Sequence, residues 1–186
     1  MRCILKSKVI LISIAALICA GAADAMPYER GRKNFTVIAG FGQNHQYPSA
    51  TQTKIKFDVA NLRWGECKSP RKEKALELGI GSAIKGEDNF IVSTTASYRR
   101  YFLVRDKVSM AYELGGGLVF LEHTLPELGS NLNFTEQVGI VVQRKLKNDT
   151  ALTLNYRFFH ISNAGLKKPN IGLNSTQLTI GFTKFK

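Results

Sequence analysis

A histidine and a serine two residues apart, His160 and Ser162, are the side chains in this sequence best suited to chemistry. Residues two apart on a β-strand point to the same face, so an imidazole and a hydroxyl at this spacing can approach each other. A base that takes the proton of a hydroxyl creates a serine nucleophile. The spacing therefore predicts acyl transfer, with the side-chain amide of Asn163 as an expected donor to the oxyanion. The same spacing also fits a pair with only a structural role.

The imidazole needs a third residue to orient it, and Asn174 is the candidate. It has the same even parity as the apolar row of the last segment of the chain, and the turn-forming run 169–172 precedes it. A hairpin would place Asn174 opposite His160, where its amide oxygen would accept from the ring N–H and fix the tautomer. A neutral amide stabilises an imidazolium less well than a carboxylate does. Glu136 has the lipid-facing parity of the neighbouring sixth segment and is a candidate acid, although a carboxylate exposed at the rim explains it better.

The segments that carry these residues alternate between apolar and polar side chains with a period of two, which is typical of β-strands. Turn-prone runs rich in Gly, Asn, Asp, Pro and Lys separate them. We predict eight strands, at about 32–43, 52–63, 73–85, 89–103, 106–122, 130–146, 149–163 and 172–185.

Two all-β architectures fit this alternation. A soluble barrel or sandwich would bury the apolar face, and an outer-membrane barrel would turn it toward lipid. The even number of strands and the aromatic residues of the last strands favour an eight-stranded antiparallel transmembrane β-barrel. In such a barrel His160 and Ser162 continue the lipid-facing row, where polar groups are costly unless they have a function. Side chains fill the interior of an eight-stranded barrel, so no pore is expected.

The first 25 residues read as a secretory signal peptide. Arg2, Lys6 and Lys8 precede an apolar run, and 23–25 is an Ala-Asp-Ala cleavage pattern. We therefore predict a signal peptide at 1–25 and the barrel at 26–186. Cleavage would leave Cys67 as the single cysteine, so no internal disulfide is expected. No later stretch has 18 uninterrupted apolar residues, as a transmembrane helix would need.

The composition argues against several other functions. His45 and His123 have no companion ligands at metal spacing, so we predict no metal site and no cofactor. The glycine run 115–117 lies in a strand pattern and lacks the context of a phosphate-binding loop. The net charge is +12, or +10 without the signal peptide, which suits an anionic partner. Nucleic acid is not expected as that partner, since an exported barrel rarely meets it.

The run His160-Ile161-Ser162-Asn163-Ala164-Gly165, followed by Pro169-Asn170-x-Gly172, resembles the signature of the PagL-type lipid A 3-O-deacylases. The resemblance is strongest over 150–185. It implies an eight-stranded outer-membrane barrel that hydrolyses the ester-linked acyl chain at position 3 of lipid A, without a cofactor. By the same resemblance His160 is the base, Ser162 is the nucleophile, and Asn163 and the backbone N–H of Ala164 form the oxyanion hole. The family has a glutamate as the triad acid where this chain has Asn174, which puts full activity in doubt.

The expected partners are lipid A, lipopolysaccharide and outer-membrane lipids, and a homodimer is left open. Lys167 and Lys168 lie beside the predicted site and are candidates to contact a lipid A phosphate, although solvated loop lysines explain them as well. The predicted protein is thus a carboxylic ester hydrolase of the Gram-negative outer membrane. Two alternatives stay open: a non-enzymatic barrel with an adhesion or envelope-integrity role, and a soluble periplasmic barrel that binds lipid inside.

Overall fold

The computed structural model describes residues 28–45, 54–85 and 88–186, so the predicted signal peptide lies outside the described residues. The alternating segments form eight strands, and the predicted boundaries are close to the observed ones except at the second strand, which extends to Ser69. The strands are β1 (Lys33–His45), β2 (Lys56–Ser69), β3 (Lys72–Lys85), β4 (Phe90–Val104), β5 (Val108–Leu121), β6 (Leu132–Lys145), β7 (Thr150–Ser162) and β8 (Leu173–Phe185).

The sheet is a closed antiparallel barrel. Each strand pairs with the next along the chain, and β1 pairs with β8 to close the ring. The strands are 13 to 15 residues long, whereas a tilted strand needs only about 9–11 residues to cross a bilayer. The eight-stranded fold class predicted from the sequence is confirmed. Within the described residues no helix is long and apolar enough to span a membrane.

The two ends of the barrel differ in the length of their connections. Short turns at 70–71, 105–107 and 146–149 lie at one end. At the other end β5 joins β6 through 122–131 and β7 joins β8 through 163–172, ten residues in each case. Outer-membrane barrels have short turns on the periplasmic side and long loops on the extracellular side. The carboxyl end of β7, where His160 and Ser162 lie, is therefore at the extracellular end.

The outer wall is apolar and the interior is polar, which is the reverse of a soluble barrel. Outward positions hold exposed large side chains such as Tyr156, Ile180 and Phe182. Outward aromatic side chains gather near both ends: Phe35 and Trp64 pack together at the periplasmic end, and Phe90 and Phe120 lie near the extracellular end. Aromatic girdles at both interfaces are typical of transmembrane barrels. The apolar alternation therefore faces lipid.

Ion pairs fill the middle of the lumen. Arg99 Nε donates to Glu113 Oε2 at 2.6 Å, and Arg157 binds Glu77 with two N–O distances of 2.5 and 2.8 Å. A third pair joins Arg63 to Glu73. Because all six side chains are buried, each charge depends on its partners for the hydrogen bonds that water would otherwise supply. The layer closes the barrel at mid-height.

Apolar clusters close the lumen above and below this charged layer. At the periplasmic end, Tyr28, Cys67, Tyr101 and Phe185 are among the packed side chains. At the extracellular end, side chains from several strands enclose Leu125 and Leu128 of the β5–β6 connection. Since Ile161 and Leu173 belong to this second cluster, it fixes the end of β7 and the start of β8.

Candidate active site

The structure places His160 and Ser162 on the outer wall of the barrel, near the extracellular end of β7. Both are half-buried, and they continue the outward row of Tyr156 and Phe158. The odd-numbered residues of β7 form the inward row, and of these Arg157 and Ile161 are buried in the lumen. The parity argument from the sequence therefore holds: the imidazole and the hydroxyl share the face that meets lipid.

Asn174 holds the imidazole from the neighbouring strand. It is the Cα partner of His160 in the β7–β8 ladder. The Nδ1 atom of His160 and the Oδ1 atom of Asn174 are 2.8 Å apart, and Asn174 is buried. An amide oxygen only accepts, so Nδ1 carries the proton and Nε2 is left as the basic nitrogen. Asn174 therefore fixes the tautomer that a general base requires.

The backbone of Gly172 approaches the imidazole closely. Its φ is +80°, in the left-handed region that favours glycine. A Cβ atom at this position would lie 2.5 Å from Cε1 and 3.0 Å from Nε2 of His160. The glycine seen in the sequence as part of a turn is therefore also needed for the backbone to approach the ring. This second role depends on the fold of the loop, so it could not be predicted from the sequence.

Ser162 has a free hydroxyl at the end of the strand. In the described part of the chain no hydrogen bond joins it to His160 or to any other group. Catalytic hydrogen bonds are often long in unliganded enzymes and shorten when substrate binds. The two side chains lie on one face of the strand with one residue between them, so they are near neighbours on the outer wall.

Two backbone N–H groups just beyond Ser162 are candidates for the oxyanion hole. Ala164 and Gly165 follow each other with φ values of +53° and +78°. Ala164 has a Cβ, so its left-handed conformation is a local strain of the kind found at functional sites. Both residues are exposed, and within the described residues their N–H groups make no hydrogen bond. Two unpaired donors therefore lie beside Ser162.

The side chain of Asn163 lies elsewhere than the sequence analysis expected. It is buried on the lumen side, and its Nδ2 donates to the carbonyl oxygens of Leu128 and Lys167, the latter at 2.7 Å. Its backbone N–H donates to Asn170 Oδ1 at 2.9 Å. The expectation that this side-chain amide faces the oxyanion is wrong in this arrangement, because its odd parity turns it away from Ser162. Asn163 instead anchors the loop that carries Ala164.

The β5–β6 and β7–β8 connections pack together as one cap over this end of the barrel. Ile171 N–H donates to Glu127 O at 2.9 Å. Gly129, with a φ of +60°, lies so close to the Lys168 and Pro169 backbone that a Cβ would come within 2.6 Å of an oxygen. No pattern in the sequence indicates this contact, because it joins residues about 40 positions apart.

Lys167 and Lys168 lie in the same connection with exposed side chains. The structure puts them at the extracellular rim near Ser162, and within the described ranges neither ε-ammonium group makes an ion pair. Both ammonium groups are therefore available to bind an anion. No three His, Cys, Asp or Glu side chains in residues 28–45, 54–85 and 88–186 are arranged to hold a metal ion.

These features define a class of protein: a small, closed outer-membrane β-barrel with a serine–histidine site on its lipid-facing wall. The sequence model of the family described as "Lipid A 3-O-deacylase (PagL)" matches residues 39–183. The chain belongs to that family, as the His160-to-Gly165 run indicates. No curated protein sequence matches the chain at a comparable level.

Solved structures support the fold. The crystal structure of the outer membrane enzyme PagL is 21% identical, with a TM-score of 0.60 over 82% of this chain and 98% of that one. Neisserial surface protein A (NspA) is 16% identical, with a TM-score of 0.65 over 83% and 99% of the two chains. OprG from Pseudomonas aeruginosa is 10% identical, with a TM-score of 0.54 over 88% and 99%. With its family and fold, the chain is a protein of the Gram-negative outer membrane.

Proposed function

We propose that this protein hydrolyses the ester-linked acyl chain at position 3 of lipid A. The observation that carries the proposal is the outward His160–Asn174 pair with Ser162 beside it, on the lipid-facing wall at the extracellular end. Lipopolysaccharide occupies the outer leaflet at this depth. A buried lumen site could not receive an acyl chain from the membrane as directly as this wall does.

The chemistry begins with Ser162. Its Oγ attacks the acyl carbonyl carbon while Nε2 of His160 takes the hydroxyl proton. The backbone N–H groups of Ala164 and Gly165 donate to the oxyanion, replacing the role expected of the Asn163 side chain. The tetrahedral intermediate then collapses, the bond to the sugar oxygen breaks, and His160 returns its proton to that oxygen. The acyl chain stays on Ser162 as an ester.

Water completes the cycle. His160 takes a proton from a water molecule that attacks the acyl-serine, and the fatty acid leaves as Ser162 regains its proton. Asn174 keeps Nδ1 protonated throughout, so that Nε2 is always the nitrogen that exchanges protons. Lys167 and Lys168 hold a lipid A phosphate at the rim as point charges.

The test is fatty-acid release from lipid A, followed by mass spectrometry of both products. The wild type is expected to remove one acyl chain, and Ser162→Ala and His160→Ala are expected to remove none. Ser82→Ala is the matched control, because this serine is exposed on β3, four strands away from β7 in the closed barrel. Unchanged release by either site variant would reject the assignment.

A second candidate is a non-enzymatic outer-membrane barrel with an adhesion or envelope-integrity role. The observation in its favour is Asn174, a neutral amide at the position where the family has an acid. This reading predicts an intact lipid A and no gain of activity from Asn174→Glu. Measurable turnover by the wild type, or a rise on that substitution, counts against it.

A further inference from the structure

Four polar side chains form a continuous row across the outer wall. The Cα partner of His160 on β6 is Glu136, its partner on β8 is Asn174, and the partner of Asn174 on β1 is His45. His45 forms a hydrogen bond with a hydroxyl group, since its Nε2 lies 2.8 Å from Thr176 Oγ1. The row therefore places a carboxylate on one side of the imidazole and an amide on the other.

Glu136 has no other polar partner on its strand. Its outward neighbours Phe134 and Val138 are large and apolar, and its Cα partner on β5 is Gly116, which has no side chain. The carboxylate is exposed, and within the described residues it makes no ion pair. A lone charge on an apolar membrane-facing wall is costly and marks a function. Residues directly opposite across an antiparallel ladder have Cβ atoms about 5 Å apart, so His160 is the polar group that Glu136 faces.

We propose that Glu136 is a positioning residue that stabilises the imidazolium formed at His160, an inference that rests on the proposed function. Asn174 orients the ring but carries no charge, so the positive charge that appears in the transition state needs a carboxylate from elsewhere. Glu136 supplies it across the β6–β7 ladder. A triad acid usually both orients the imidazole and stabilises its charge. Here Asn174 on β8 orients the ring, and Glu136 on β6 supplies the negative charge.

The placement also avoids the oxyanion. Glu136 is level with His160, whereas Ala164 and Gly165 lie beyond Ser162 at the rim. The negative carboxylate is thus level with the imidazole, whereas the proposed oxyanion donors lie farther along the chain, beyond Ser162. His45 lies beyond Asn174, and Lys167 and Lys168 lie in the β7–β8 connection. None of these three groups is negative.

The first test is Glu136→Gln, measured as kcat and KM for lipid A deacylation. We expect kcat to fall about fivefold with KM unchanged, the scale of a cross-strand charge pair, and Glu136→Asp to recover part of the loss. Asp58→Asn is the matched control: it removes an outward carboxylate in the same half of the barrel, on β2, bonded to the Ser82 N–H. A change in KM alone, or an equal loss in the control, would overturn the inference.

The second test moves the charge to the other strand. Asn174→Glu is made in the wild type and in Glu136→Gln, with heat-modifiable gel mobility confirming that each barrel is folded. If Glu136 supplies the charge, the new glutamate raises kcat more in the Glu136→Gln background than in the wild type. Equal gains in both backgrounds would show that the two positions act independently, against the inference.

A substrate-independent readout separates this inference from the proposed function. The rate at which a fluorophosphonate labels Ser162 reports activation of the hydroxyl whether or not lipid A is the substrate. We expect labelling of the wild type and slower labelling of Glu136→Gln. Labelling without deacylation would refute the lipid A assignment and leave Glu136 supported. A wild type that is not labelled, or labelling equal in both proteins, refutes the role of Glu136.

Discussion

The imidazole of His160 and the amide oxygen of Asn174 are joined across the β7–β8 ladder, with Nδ1 and Oδ1 2.8 Å apart. Two neighbouring strands thus set the direction of the ring before any substrate arrives. The bond lies at the lipid-facing surface, with Asn174 itself buried. Because the Asn174 amide is neutral, it can orient the imidazole of His160 but cannot stabilise the positive charge of the imidazolium.

Loss of the Asn174 amide should weaken catalysis while leaving the barrel folded. Asn174→Ala removes the acceptor that holds Nδ1–H, so we expect kcat to fall about tenfold, equivalent to one hydrogen bond of ~1.4 kcal/mol. Asn174→Asp keeps an acceptor oxygen and should retain most of the activity. Deacylation by the two variants at saturating lipid A measures the effect. Equal activities of the alanine and aspartate variants would argue against an orienting role.

Gly172 should tolerate no side chain. In Gly172→Ala the new Cβ would overlap Cε1 of His160, at 2.5 Å, so the ring must move and we expect at least a tenfold loss of kcat. Gly31→Ala is the control for backbone strain, because Gly31 has a similar φ of +86° and nothing within 4 Å of a Cβ. Activity assays on both variants separate the two effects. Similar losses in both would point to strain alone.

Asn163 should matter for the order of the cap. Asn163→Ala leaves the Leu128 and Lys167 carbonyl oxygens without their donor, a cost of about 1–3 kcal/mol for buried groups. We expect faster hydrogen–deuterium exchange across 163–172 and lower activity. Ser130→Ala, in the adjoining connection, removes only an exposed hydroxyl bond to Leu132 and serves as control. Exchange that rises equally in both variants would contradict the anchoring role.

The charged layer in the lumen should determine stability and not activity. Glu113→Gln leaves the guanidinium groups of Arg99 and Arg157 short of a buried partner. Breaking such a pair costs about 3–5 kcal/mol, so the urea midpoint of unfolding should fall clearly while the folded fraction keeps its kcat. Glu66→Gln breaks an exposed pair with Lys68 and should leave the midpoint unchanged. An unchanged midpoint for Glu113→Gln would mean that the layer is dispensable.

The loop lysines should affect substrate binding alone. Replacing Lys167 and Lys168 together by glutamine removes two positive charges at the rim, each worth about 1 kcal/mol near an anionic surface. We expect KM to rise roughly tenfold or more at low salt, less at high salt, with kcat unchanged. Lys147→Gln, in the β6–β7 turn at the opposite end, is the control. An unchanged KM in the double variant would mean that these lysines contact only solvent and not the substrate.

Alternation of side chains was enough to predict the fold, because a period of two records which side chains meet lipid. It correctly predicted eight strands, the outward face of His160 and the pairing of His160 with Asn174. The second strand was misjudged because Gly65 and Cys67 interrupt the polar–apolar contrast near its end. Asn163 was misassigned because its neighbours in sequence suggested an oxyanion donor, whereas its parity sends it toward loop carbonyls from a distant connection. Contacts between loops leave no periodic trace in a sequence.

The His160–Ser162 pair lies on a wall whose interior is closed by ion pairs, so a reactant reaches it by moving sideways within the leaflet and not through the barrel. Encounter is then two-dimensional, and its rate follows the number of target molecules per unit of membrane area. Diluting the substrate with inert detergent inside mixed micelles should slow the reaction even when its bulk concentration is held constant. The orientation of the barrel in the bilayer restricts the site to the outer leaflet.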